Sequence, residues 1–158
     1  MIAERNGGTG APRDIVRASG FGTVADLRGR LPAELRSIHL EKAPGTHPYA
    51  KAVAAYFEGD MKALLSIPHR QAGTNFNREV WRAMSKVRAG KTVSYKELAA
   101  ASGNPTAVRA AGTACAQNLL CLLVPCHRVV KSDGSTGAYF YGPDVKESLL
   151  RLEGMKVD

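Results

Sequence analysis

The clearest hydrophobic rhythm in this chain begins at Pro48. Ala50, Val53, Ala54 and Phe57 recur at i, i+3, i+4 and i+7 and Gly59 follows as a stop, which predicts a helix. A second stripe, Phe76, Val80, Met84 and Val87, predicts a helix capped by Thr74 or Asn75, with Arg78, Arg82 and Lys86 mostly off the stripe and Gly90 at its end. Ser94-Tyr95-Lys96-Glu97 has the form of a capping box, hydroxyl and carboxylate each satisfying an orphan N–H, and opens a helix that runs through Leu98 and alanines to Gly103. Asn104-Pro105 offers an N-cap and a first-turn proline to a third helix reaching about Gln117. Two helices joined by a short turn at Gly103-Asn104 have the spacing of a helix-turn-helix. Leu119 to Val124 (LLCLLV) is an unbroken apolar run ending at Pro125 and predicts a buried strand. A Lys-Ser-Asp-Gly turn follows Val130, then an aromatic cluster (Tyr139, Phe140, Tyr141) and a short helix from Pro143 carrying Leu149, Leu150 and Leu152.

Before Pro48 the pattern is weaker. The first dozen residues are Gly-rich and predicted loose, and Asp14 to Leu40 holds short apolar pieces (Ile15, Val16, Val24, Leu27, Ile38) between Gly and Pro, which predicts strands or a hairpin. Ser66 to Thr74 (SIPHRQAGT) reads as a linker.

Composition narrows the class. The 158 residues suffice for one core or two small lobes, and 44% hydrophobic with 23% charged residues describes a globular chain, not a polybasic tail. No apolar run approaches the roughly 18 residues a membrane span needs, and the opening residues have no apolar leader core, so an intracellular protein is expected. Cys115, Cys121 and Cys126 crowd into twelve positions; odd in number and sparse, they make no disulfide framework. The net charge of +8 admits an acidic partner such as nucleic acid. Between Arg78 and Arg128 lie eight basic residues and only Glu79 and Glu97, a local excess of +6 that a solvated face of mixed sign does not show.

Two features carry candidate chemistry. The third helix, AVRAAGTACA, has one long side chain, Arg109, among small residues; either it is packed tightly in the interior with Arg109 at its edge, or it is a smooth surface that approaches DNA, and its place in the basic stretch favours the second. Pro125-Cys126-His127-Arg128 sets a thiol, an imidazole and a guanidinium in succession, and neighbouring positive charge favours the nucleophilic thiolate. A buried Cys can equally be a small hydrophobe, a reading that suits Cys115 and Cys121. Zinc is disfavoured, because no CxxC pair is present.

PCHRVV, SYKELAAASGNP, the RAAG helix, TNFNREVW and LLRLEG together resemble the O6-alkylguanine-DNA alkyltransferases, over about Tyr49 to Gly154, and the ACAQN and GAYFYG segments look more like the bacterial Ada-type domains. The resemblance implies an α/β (α+β) fold, with a small sheet-bearing N-terminal lobe over 1–72 and a helical C-terminal lobe over 73–158 that holds the helix-turn-helix and the active-site Cys. It implies a single-turnover methylated-DNA–protein-cysteine methyltransferase, monomeric and without metal or cofactor, whose partner is double-stranded DNA containing O6-alkylguanine, met through the minor groove. Cys126 would accept the alkyl group, and His127, through a water and oriented by Glu153, would take the thiol proton. Tyr95 would donate to guanine N3, and Arg109 would replace the extruded nucleotide in the stack. Ser94, Ala110 and Arg128 would join Tyr95 and Arg109 at the DNA. Val129, Tyr139, Phe140 and Asn118 would line the base pocket, with the carbonyls of Cys126 and Val129 and the amide of Phe140 reading the base and Asn118 acting as a hinge.

The chain departs from the family pattern at Leu119, where many members have Pro, and at Asn77, where Gln is usual. Phe140 and Tyr141 stand where the human protein has small residues, which would narrow the pocket. The first 48 residues carry no match. Two rivals remain at this level: a lesion sensor of the alkyltransferase-like type, which lacks the Cys found here, and a plain helix-turn-helix regulator with a redox Cys.

Overall fold

Ile2–Glu4 (β1) pairs antiparallel with Ile15–Ala18 (β2), burying Ile2, Val16 and Ala18. The computed structural model describes residues 1–4 and 14–156. Its contacts fall into two units, one of Met1–Ala72 with Leu119–Leu123 and one of Gly73–Asn118 with Val124–Asp158.

In the first unit the strands expected over Asp14–Leu40 stop at β2. Val24–Arg30 (α1) and Ala33–Arg36 (α2) are helical instead. Thr23 and Asp26 form a capping box, Thr23 Oγ1 accepting from Asp26 N and the Asp26 carboxylate accepting from Thr23 N, and this local signal outweighs the scattered β-branched residues. Leu27 and Leu31 close a small core with Ile2 and Ala18. Of the first dozen residues, expected to be loose, 2–4 are in β1 and 5–12 lie outside the described residues. Pro48–Phe57 (α3) follows its periodicity, with Pro48 in the first turn and Tyr56 buried. The segment expected as a linker after Ser66 is anchored at its start: Ile67 is buried, and Val16 N and Val16 O bond Pro68 O and Arg70 N at 2.9 and 3.0 Å.

Leu119–Val124 is mostly buried but is not a strand. Residues 121–123 turn, and Leu122 adopts φ of 74°, in the left-handed region. Ser19 supplies the missing backbone partners: its N–H donates to Leu119 O, its carbonyl accepts from Cys121 N, and its hydroxyl donates to Cys121 O at 2.7 Å. A six-residue apolar run has no period with which to tell a strand from a buried turn, and a single well-placed serine decides it.

The second unit is helix-dominated. Asn75–Ser85 (α4) is capped by Thr74, and buries Val80, Trp81 and Met84. Trp81 covers Gly73, where a Cβ would lie 2.5 Å from the indole ring, and its N–H donates to Ala114 O at 2.9 Å. Val93–Ser94 (β3) runs directly into Tyr95–Ala101 (α5), whose capping box between Ser94 and Glu97 is complete. The next helix, Val108–Ala116 (α6), starts later than the sequence suggests. Asn104 caps no helix: its carbonyl accepts from Ala107 N and its side chain from the Thr106 hydroxyl, so the turn extends through 102–107. α4 packs on both α5 and α6. The chain ends with Val129–Val130 (β4), parallel to β3, and Pro143–Leu152 (α7). No described helix is long and apolar enough to cross a membrane.

Candidate active site

Cys126–Arg128 forms a single 3-10 turn, with Cys126 N donating to Val124 O at 2.9 Å and Arg128 N to Pro125 O at 3.0 Å. Cys126 therefore sits in a turn and not at the end of a strand, and the three consecutive side chains leave the backbone in different directions. All three are buried. The buried Asn118 amide donates to Val124 O at 2.8 Å, fixing the backbone just ahead of the turn to the end of α6.

Glu153 is the hub beneath it. Capping α7 at its C-terminus, this carboxylate is fully buried and meets His127 Nε2 at 2.9 Å through Oε1. Burial pushes the His127 pKa below its ordinary value, against the contrary pull of Glu153, so the ring is neutral near pH 7. A neutral imidazole donating from Nε2 carries its lone pair on Nδ1. That atom is buried and has no hydrogen-bond partner among the described residues. The site thus holds an oriented, unprotonated base one residue from the thiol.

Arg128 corrects a sequence expectation. The resemblance places it at the DNA, yet it is buried: Nε and an Nη donate to the two Glu153 oxygens at 2.9 and 2.7 Å, and the other Nη donates to Val87 O. Its fork neutralises Glu153 and is turned into the interior, away from solvent.

Tyr139 Oη accepts a long contact from Cys126 Sγ at 3.9 Å. Phe140 is exposed and stacks edge-on against Tyr141, ring centroids 5.0 Å apart. Tyr95 is half-buried at the start of α5 with its ring beside Gly112, where a Cβ would lie 3.8 Å away, in ordinary contact. Burial first, then the Cys115 and Cys126 sulfurs, raise the Tyr95 pKa, so its phenol stays a proton donor. The Cys115 thiol is pushed up to about 12, chiefly by burial, and stays protonated, which suits the small-hydrophobe reading.

Arg109 and Ala110 are exposed on α6, while Ala111 and Ala114 form its buried side. The small-residue helix is therefore packed on one side and open on the other, with Arg109 on the open side. The Ser94 hydroxyl is engaged with Glu97. Asn77 makes a contact of its own, donating to Gln117 Oε1 at 2.7 Å across to the end of α6. Lys86, Arg88, Lys91 and Lys96 are exposed like Arg109, and none of the five has a carboxylate partner among the described residues.

Sequence reasoning missed Lys146. It is fully buried on α7. The signal was present: Lys146, Leu149, Leu150 and Glu153 fall at i, i+3, i+4 and i+7, so two charged residues share the apolar stripe of that helix.

Residues 75–155 match the family model described as 6-O-methylguanine DNA methyltransferase, DNA binding domain. The chain is 40% identical over 127 residues to the methylated-DNA–protein-cysteine methyltransferase of Methanosarcina mazei, covering 80% of each. It is 47% identical over 93 residues to the regulatory protein ada of Salmonella typhimurium, covering 59% of this chain but only 26% of that longer protein. Among solved structures, Mycobacterium tuberculosis OGT in complex with DNA aligns with a TM-score of 0.64 and 34% identity, over 73% of this chain and 77% of that one.

Proposed function

The chain belongs to the 6-O-methylguanine DNA methyltransferase family, and from that membership we infer that it repairs DNA by moving the alkyl group of O6-alkylguanine, chiefly O6-methylguanine, onto its own Cys126. The observation that carries the assignment of residues is the relay of a buried thiol, a neutral imidazole with an uncommitted Nδ1, and a carboxylate that fixes the ring. Cys126 Sγ attacks the alkyl carbon in line, forming the S–C bond as the C–O6 bond breaks. The thiol proton passes through a water to His127 Nδ1, and Tyr95 protonates guanine N3 so that the base leaves neutral. The thioether is stable, so each molecule acts once, without a cofactor.

The lesion must leave the duplex to reach a buried thiol. Arg109, exposed on a helix of small side chains, fills the gap in the stack, and α6 enters the minor groove, whose narrowness suits that smooth surface. Ser94 and Ala110 flank the contact, and Val129, Tyr139 and Phe140 enclose the flipped base. The protein acts inside the cell as a monomer. DNA binding and transfer belong to the unit of Gly73–Asn118 with Val124–Asp158, which departs from the expected 73–158 in that Leu119–Leu123 groups with Met1–Ala72 as the N-terminal lobe.

Incubation with a duplex containing O6-methylguanine is expected to raise the intact mass by about 14 Da, one CH2, mapping to Cys126. Cys126→Ser must show no gain. Unmodified protein that still prefers the lesion duplex would overturn the transferase reading in favour of a sensor.

A further inference from the structure

The thiol site contains a second buried cation that the chemistry above does not use. Lys146 has no exposed surface and no carboxylate partner among the described residues. Its ammonium donates to two backbone carbonyls, Val129 O at 2.6 Å and Thr136 O. An ammonium buried without a counter-ion is costly, and an apolar chain of similar length fills the same volume more cheaply. Stability therefore does not account for a lysine here.

The two carbonyls do. Val129 follows immediately on the Cys126–Arg128 turn. Thr136 lies in the segment leading to Tyr139, whose hydroxyl is 3.9 Å from Cys126 Sγ, and to Phe140. One ammonium thus ties together the two stretches of chain that flank the thiol. Burial lowers the Lys146 pKa to about 8, while the nearby Cys126 and Cys115 sulfurs hold it up, so the group is mostly a charged donor at neutral pH.

Resting on the reading of Cys126 as acceptor and of Val129 and Phe140 as base pocket, we propose that Lys146 is a positioning residue for alkyl transfer: through the Val129 and Thr136 carbonyls it fixes the spacing of the pocket walls and aims the Val129 carbonyl at the 2-amino group of the flipped guanine. A carbonyl oxygen has two lone pairs, so accepting from Lys146 leaves capacity for the substrate amine.

The test compares transfer rates from two duplexes, one with O6-methylguanine and one with O6-methylhypoxanthine, which lacks the 2-amino group. Wild-type protein is expected to favour the first by about tenfold, the scale of one hydrogen bond in a dry site. In Lys146→Gln the ratio shrinks, and in Lys146→Met it approaches one, because the rate on O6-methylguanine falls while that on O6-methylhypoxanthine changes little. A wild-type ratio in either folded variant, with both rates falling together, overturns the proposal and leaves Lys146 acting on the thiol or on the fold at large. Lys146→Gln keeps a polar donor and serves where Lys146→Met does not fold. If wild-type protein gains no mass from either duplex, the transferase reading is what has failed.

Discussion

One carboxylate, Glu153, serves two partners of opposite behaviour. Arg128 is a fixed charge that cancels it, while His127 is a titratable ring that its Oε1 merely orients. Because Arg128 already balances the carboxylate, burial dominates at His127 and its folded pKa lies below the unfolded value of 6.5. The consequence for stability has a definite sign. Between the folded value and 6.5 the unfolded chain binds more protons than the folded one, so stability falls as the pH drops through 6.5 toward the folded value. Denaturant midpoints of wild type and His127→Gln are expected to converge over that window as the pH falls, the wild type losing its advantage. A constant difference would mean that His127 is not held neutral by the fold. Transfer by the wild type should keep its rate as the pH drops through 6.5 and lose it only near the lower folded value of His127, since the base remains unprotonated above that value.

At the scale of elements, α6 has one buried and one exposed face. Ala111 and Ala114 are buried, the latter accepting the Trp81 N–H, and Arg109 and Ala110 are left outside. A helix held this firmly can present one long side chain at a fixed height, which is what inserting a finger into a base stack requires. Arg109→Ala should slow transfer from duplex DNA by about tenfold or more, since unstacking a base costs a few kcal/mol that the finger no longer offsets. Reaction with the free O6-methylguanine base should change little, and equal losses on both substrates would remove the finger role. The legibility of these elements followed the range of the forces that make them. The Ser94–Glu97 box, the Thr74 cap and the stripes of α3 and α4 are settled within one or two turns and could be read directly. LLCLLV could not, because Ser19, a hundred residues away, decides that it turns. Asn104 resembles a cap locally but is taken up by Thr106. Cys126, His127 and Glu153 were legible through motifs, whereas the inward turn of Arg128 depends on a carboxylate 25 positions further on.

For the whole molecule, the charge excess separates into parts that act differently. Of the eight basic residues from Arg78 to Arg128, Arg78 is held by the Gly73 carbonyl and the Asn75 side chain, Arg82 is paired with Glu79 and Arg128 is consumed inside, while Lys86, Arg88, Lys91, Lys96 and Arg109 stand exposed without carboxylate partners among the described residues. Those five are the candidates for phosphate contact, and each contact releases condensed counter-ions, so log affinity should fall with log salt by about 0.9 per contact. Five contacts give a slope of about −4.5, or roughly a 500-fold loss between 50 and 200 mM salt. Lys91→Ala and Lys96→Ala should each flatten the slope by about 0.9, weakening lesion and intact duplexes alike, because phosphates carry no sequence or damage information. Transfer from the free base has no phosphates to meet and should not respond to salt at all. If salt slowed the free-base reaction in parallel with duplex repair, the exposed cations would be acting on the buried relay, and the division between a phosphate-binding surface and a shielded thiol would not hold.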